Sequence, residues 1–153
     1  MEKKLVLGLG NLLLGDDGVG IHVIRELQKR PLPSNVQLAD GGTSGFELLT
    51  YLESAQKTII IDAMKAGCRP GTIYRLVPGN LRFQEEETYS LHQVGLKEIL
   101  SWLEYTEKKT VVTIIGVEPK TICYSLKLSP ELKRQLPRIV SLVLEELEKG
   151  DKT

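Results

Sequence analysis

A chain of 153 residues with 41% apolar and 26% charged side chains is long enough to bury a core without covalent staples, and is expected to form one domain. Twenty basic residues offset twenty acidic ones, so no net field draws the chain to nucleic acid or to an anionic membrane, and neither is expected as a partner. Its two cysteines, Cys68 and Cys123, are far apart and form no Cys-x-x-Cys, which argues against a disulfide framework or a thiolate zinc site and for a reducing, cytoplasmic setting.

Short apolar runs alternate with amphipathic stretches, the pattern of βα units around a mostly parallel sheet. Residues 4–9 follow Lys3 as a first buried strand; Gly8, Gly10 and Asn11 interrupt the apolar run before it resembles a signal peptide or a membrane span. Val19, Val23, Ile24 and Leu27 share one helical face, predicting a helix over 18–30 that Pro31 and Pro33 end. Residues 36–39 form a short second strand. Phe46, Leu48, Leu49 and Leu52 mark a second helix, and the β-branched run 58–61 a central strand ended by Asp62.

Residues 71–77 read as a strand at an edge or antiparallel position, and 78–90 as a polar loop. Leu96, Ile99, Leu100 and Leu103 predict a third helix over 94–105. The run 110–115, ended by Gly116, is the last core strand, with a short extra strand over 121–126. Ser129, Pro130 and Glu131 supply an N-cap, a first-turn proline and a first-turn acid for a final helix reaching about Glu148, with a kink at Pro137. The expected architecture is a three-layer α/β/α sandwich with a mostly parallel twisted sheet, phosphorylase/hydrolase-like.

In such a sheet the functional crevice lies beyond the carboxyl ends of the strands. The loops placed there carry Gly8-Leu9-Gly10-Asn11 with Gly15-Asp16-Asp17-Gly18, then Asp40-Gly41-Gly42-Thr43, then Asp62, and Leu91-His92-Gln93 precedes the third helix. Gly8-x-Gly10 is a poor dinucleotide fingerprint, because Leu13 stands where the third glycine belongs and two acids follow. One of Asp16 and Asp17 is expected to cap the first helix and the other to face the crevice. Asp62, ending an apolar strand, fits either a turn aspartate or a site acid, and His92 alone fits a structural histidine. Together, two carboxylates and a neutral imidazole suit a borderline divalent ion such as nickel or zinc. His22, between Ile21 and Val23, reads as structural.

Gly8-Leu9-Gly10-Asn11 with Asp16-Asp17-Gly18-Val19-Gly20 resembles the opening motif of the hydrogenase maturation endopeptidases. So do Asp40-Gly41-Gly42-Thr43-Ser44-Gly45, Ile61-Asp62-Ala63, Leu91-His92-Gln93-Val94-Gly95-Leu96 and Gly116-Val117-Glu118-Pro119. These five blocks follow the family's order across nearly the whole chain. The resemblance implies a nickel-recognising triad of Asp17, Asp62 and His92, which would also be the catalytic residues. Several family members have glutamate where Asp17 stands. It further implies that Asp40, Gly41, Gly42 and Thr43 cradle the substrate chain and that Asn11 orients the first loop. The implied substrate is the nickel-loaded precursor of a [NiFe] hydrogenase large subunit, whose C-terminal extension is removed after nickel insertion. Nickel would arrive with the precursor, and the isolated chain would bind divalent metal weakly, because three ligands make a half-built site.

Two other readings fit parts of the sequence. Peptidyl-tRNA hydrolases open with a similar Gly-Leu-Gly-Asn, but this chain lacks their Pro-Gly continuation and histidine–asparagine pair, and its neutrality suits tRNA poorly. A non-catalytic nickel sensor or chaperone would use the same triad. No His-Glu-x-x-His or Gly-x-Ser-x-Gly is present, which argues against a self-contained zinc peptidase and a serine hydrolase.

Overall fold

A computed structural model describes residues 2–42, 47–81, 95–106 and 110–149. Five strands form one sheet in the order β2-β1-β3-β5-β4: β1 Lys4–Gly8, β2 Val36–Asp40, β3 Lys57–Ala63, β4 Ile73–Leu76 and β5 Val111–Val117. The first, second, third and fifth strands run parallel, while β4 lies antiparallel to β5 at the sheet edge. The helices are α1 Val19–Gln28, α2 Glu47–Ser54, α3 Leu96–Tyr105 and α4 Pro130–Glu148.

Strand alternation builds the two cores. Val6, Ile59, Ile61, Ile115 and Val117 point to one face and pack with Val23, Ile24 and Leu27 of α1 and with Ile139, Val140 and Val143 of α4. Leu5, Leu7, Ile60, Val112 and Ile114 point to the other, against Leu48 and Leu52 of α2 and Ile99 and Leu103 of α3. Each central strand is therefore apolar on both faces, which is why these runs are β-branched and continuous rather than alternating. The expected layered α/β architecture is what forms.

The structure corrects several expectations. Residues 15–18 wind a 3-10 turn, so α1 begins at Val19, and its N-cap is Gly18 with no side-chain cap. Neither aspartate caps this helix, because each carboxylate has stronger donors elsewhere. Residues 121–126 form no strand of the sheet; a single parallel bridge, Leu14 to Ser125, is what pairs there. The strand at 58–61 is longer than expected and carries Asp62 and Ala63 within β3. Pro137 lies inside an unbroken α4, whose start is capped by Ser129 accepting from the Leu132 N–H.

Two glycines set how closely α1 lies on the sheet. A Cβ on Gly20 would come within 2.3 Å of the Ile61 carbonyl, and one on Gly8 within 2.3 Å of the Gly20 carbonyl. Backbone therefore rests on backbone where α1 crosses β1 and β3. That crossing presses the loop after β1 against the end of β3, where the Leu9 N–H donates to the Ile61 carbonyl at 2.9 Å.

Candidate active site

The carboxyl ends of β1, β2 and β3 meet at one rim. Gly8 is in register with Asp40 on one side and with Ile61 on the other, and the Gly41 N–H donates to the Gly8 carbonyl at 2.9 Å. Loops far apart in sequence are thereby brought together. Gly10, at φ +110°, turns the chain between two acids: a Cβ there would strike the Asp17 carbonyl at 1.9 Å and lie 3.6 Å from Asp62 Oδ1.

Asp17 lies in the 3-10 turn, half-buried, and its Oδ2 accepts the Asn11 N–H at 2.8 Å. Asn11 in turn accepts the Leu13 N–H on Oδ1 at 2.9 Å and the Leu14 N–H on its carbonyl, so it folds the loop that carries Asp17. Burial raises the Asp17 carboxyl above its ordinary value; the Asn11 amide and the Lys65 ammonium work against that rise. Asp62 goes further. Burial, helped by the negative charge of Asp17 and opposed by the Ala63 amide, pushes it up to about 8.

Asp17 and Asp62 thus border the same turn at Gly10, and burial together with the Asp17 charge favours the protonated form of Asp62. Such a pair can act as acid and base together, or give up its proton to a cation that both oxygens then ligate. His92 and Thr43 lie outside the described residues. Among the described residues, no three His, Cys, Asp or Glu side chains cluster as a complete metal site. Asp17 and Asp62 alone make two donors, a fragment of a ligand set.

Asp40, Gly41 and Gly42 line the same rim, with Gly42 beside the Gly10 carbonyl. The Gly42 N–H donates to Asp40 Oδ1 at 2.7 Å and that of Gly41 to Gly8. Both amides are thus used inside the molecule.

Residues 21–146 match the family model described as hydrogenase maturation protease. The chain belongs to the hydrogenase maturation protease family. It is 34% identical over 148 residues to the hydrogenase 2 maturation protease of Escherichia coli, covering 95% of this chain and 90% of that one. It is 33% identical over 152 residues to the hydrogenase expression/formation protein HupD of Rhodobacter capsulatus, covering 95% and 71% of the two. Among solved structures it is similar to the hydrogenase maturating endopeptidase HybD of Escherichia coli, with a TM-score of 0.80, 34% identity, and coverage of 95% and 91%.

Asp16 and Glu118, two acids outside the expected triad, hold the loops of this rim in shape. Asp16, fully buried, receives the N–H groups of Lys120, Thr121 and Ser129 and the Ser129 hydroxyl, tying the first loop to residues 120–129. Glu118 receives the Ala66 and Cys68 amides and the Tyr74 hydroxyl on Oε1, at 2.9, 3.2 and 2.6 Å, fixing the segment that leaves β3 after Asp62. Burial opposes the Glu118 charge, but these bonds outweigh it and hold the carboxyl below its ordinary value. Lys65, on that segment, bears on Asp17. The acids were visible in the family blocks; their partners, 44 to 113 residues away, leave no local pattern.

Proposed function

We propose that the chain is an endopeptidase that removes the C-terminal extension of a [NiFe] hydrogenase large-subunit precursor once nickel has been inserted. Asp17, Asp62 and His92 read the nickel held by the precursor, and the metal belongs to the substrate. The observation that carries the reading is the carboxyl pair itself. In a member of this protease family, Asp17 and Asp62 both border Gly10 at the strand rim, and burial with the Asp17 charge pushes Asp62 up to about 8. A buried acid pressed by a like charge is a place where a cation is favoured, since its binding displaces the proton and relieves the repulsion.

Anchoring the metal fixes the neighbouring peptide bond relative to the two carboxyl groups. With that proton displaced, one carboxylate takes a proton from the attacking water and passes it on to the leaving amine, while the charge of the precursor's metal offsets that of the pair. The chain contributes position and proton transfer; the precursor contributes the metal.

Incubation of nickel-loaded and nickel-free precursor with the chain, followed by intact mass measurement, tests this. The loaded precursor is expected to lose its extension and the nickel-free one to remain whole. Asp17→Ala, Asp62→Ala and His92→Ala are each expected to abolish cleavage. Full cleavage by the His92→Ala chain would remove histidine from the site, and a stable complex without shortening would favour the chaperone reading.

A further inference from the structure

Leu13, Ile122, Tyr124 and Leu126 are large apolar side chains left in water, Leu13 at 59%, Tyr124 at 91% and Leu126 at 62% exposed. They stand on two segments joined side by side. The Ser125 N–H donates to the Leu13 carbonyl at 2.9 Å, the Gly15 N–H to the Ser125 carbonyl at 2.8 Å, and Leu14 bridges Ser125 in parallel. Leu14 and Ser125 are half-buried, so their neighbours Leu13, Tyr124 and Leu126 project to the opposite, solvent side.

This ridge is held in place before anything binds. The buried Asp16 carboxylate grips Lys120, Thr121 and Ser129 at the two ends of the second segment. A fixed apolar cluster loses little entropy on association, and aromatic and leucine anchors of this kind are what interfaces bury at their centre. It is also continuous with the carboxyl pair. The Leu13 N–H donates to Asn11 Oδ1, and the Asn11 N–H to Asp17 Oδ2, so two hydrogen bonds separate the ridge from the site.

We infer that this ridge is the docking surface for the folded body of the hydrogenase precursor, an apolar protein surface laid beside the bond presented to Asp17 and Asp62. The inference rests on the function proposed above. A protein whose peptide bond sits at Asp17 lies beside the ridge, because Asn11 hydrogen-bonds both Asp17 and the Leu13 amide.

The test uses the full chain and nickel-loaded precursor. Equilibrium binding is measured for Asp62→Ala, which does not cut, and for Asp62→Ala combined with Leu13→Asp and Tyr124→Asp. Affinity is expected to fall about tenfold or more. In the cutting chain the same pair is expected to raise KM by a similar factor with kcat little changed. Circular dichroism confirms folding, and a milder Leu13→Ser, Tyr124→Ser pair covers any failure of the first. Unchanged affinity overturns the docking surface even if the unsubstituted chain cleaves and the proposed function stands. Ridge-dependent binding without any cleavage sinks the proteolytic reading and keeps the ridge. A dimer dissolved by these substitutions, with precursor affinity intact, assigns the ridge to self-association and overturns the inference.

Discussion

Asp16 is fully buried and receives four hydrogen bonds from residues 104 to 113 positions away, whereas its neighbour Asp17 receives the Asn11 amide and its charge bears on Asp62. Removing Asp16 strands four partly buried donors at once, so Asp16→Ala is expected to lower stability by about 2 kcal/mol. Asp62 runs the other way. Burial and the Asp17 charge both disfavour its ionised form, so Asp62→Asn, which keeps the shape and removes the acid, is expected to leave stability at neutral pH equal or higher while ending cleavage. Urea denaturation of both variants, paired with precursor mass measurement, checks the contrast. Equal losses of stability would mean that the two acids share one role. The sequence made the Asp16–Asp17 pair conspicuous and suggested that their tasks differ. It placed the structural one at the α1 cap, because capping is the local option and the bonds to Ser129 are invisible to local pattern.

Helix α4 ends where no basic residue of its own last turn can meet its carbonyls. Two lysines from the sheet do so: Lys4 Nζ donates to the Leu147 carbonyl at 2.6 Å and Lys57 Nζ to that of Glu146. Cations at a helix C-terminus are favoured by its dipole, and here they tie the starts of β1 and β3 to the last helix. In the same turn Glu146, 4% exposed, pairs with Arg75 of β4 and with Lys149. Burial opposes the Glu146 charge, but its bonds to Arg75 and Lys149 prevail and hold the carboxyl at about 2, against an ordinary 4.5.

A carboxyl depressed by folding stabilises fully above its unfolded value and loses that contribution as pH falls toward its folded one. The chain should therefore lose stability between about pH 4.5 and about 2, and Glu146→Gln should flatten that stretch of the profile. At neutral pH the substitution is expected to cost on the order of 2 kcal/mol, less than a fully buried pair because Arg75 and Lys149 remain half in water. Thermal melts at several pH values measure both, and an unchanged acid slope would remove Glu146 from the account. Strands and helices themselves were legible, since β-branched runs such as 58–61 and the helical faces of α1 and α3 have distinct periods. The turn at 15–18 and the segment 121–126 were not, because their conformation is set by Asp16 and by the Leu14–Ser125 bridge rather than by propensity.

The site exists only because α1 lies low enough on the sheet to press the Asp17 loop onto the end of β3. Family blocks brought Asp17, Asp40 and Asp62 to one rim on topological grounds, yet they did not reveal what sets the spacing between the first and last of these. Gly20 sets it. A methyl group there would meet the Ile61 carbonyl at 2.3 Å, the Leu9 carbonyl at 2.6 Å and the Leu9 nitrogen at 2.8 Å, all main-chain atoms that no rotamer change can move aside. The helix has to rise, and it carries the 3-10 turn with Asp17 away from Asp62 while β3 keeps Asp62 in place through its pairing with β5.

Gly20→Ala is thus expected to cost about 1–3 kcal/mol from overpacking, offset only slightly by alanine's better helix propensity. Cleavage is expected to fall well beyond the fraction of chain unfolded, because misplacement by about 1 Å at a positioned pair can cost about a hundredfold in rate. Measuring cleavage far below the melting temperature separates the two effects. If a folded Gly20→Ala chain cuts nickel-loaded precursor at the original rate, then the distance from Asp17 to Asp62 does not govern the chemistry, and the carboxyl pair loses its claim to act as a unit.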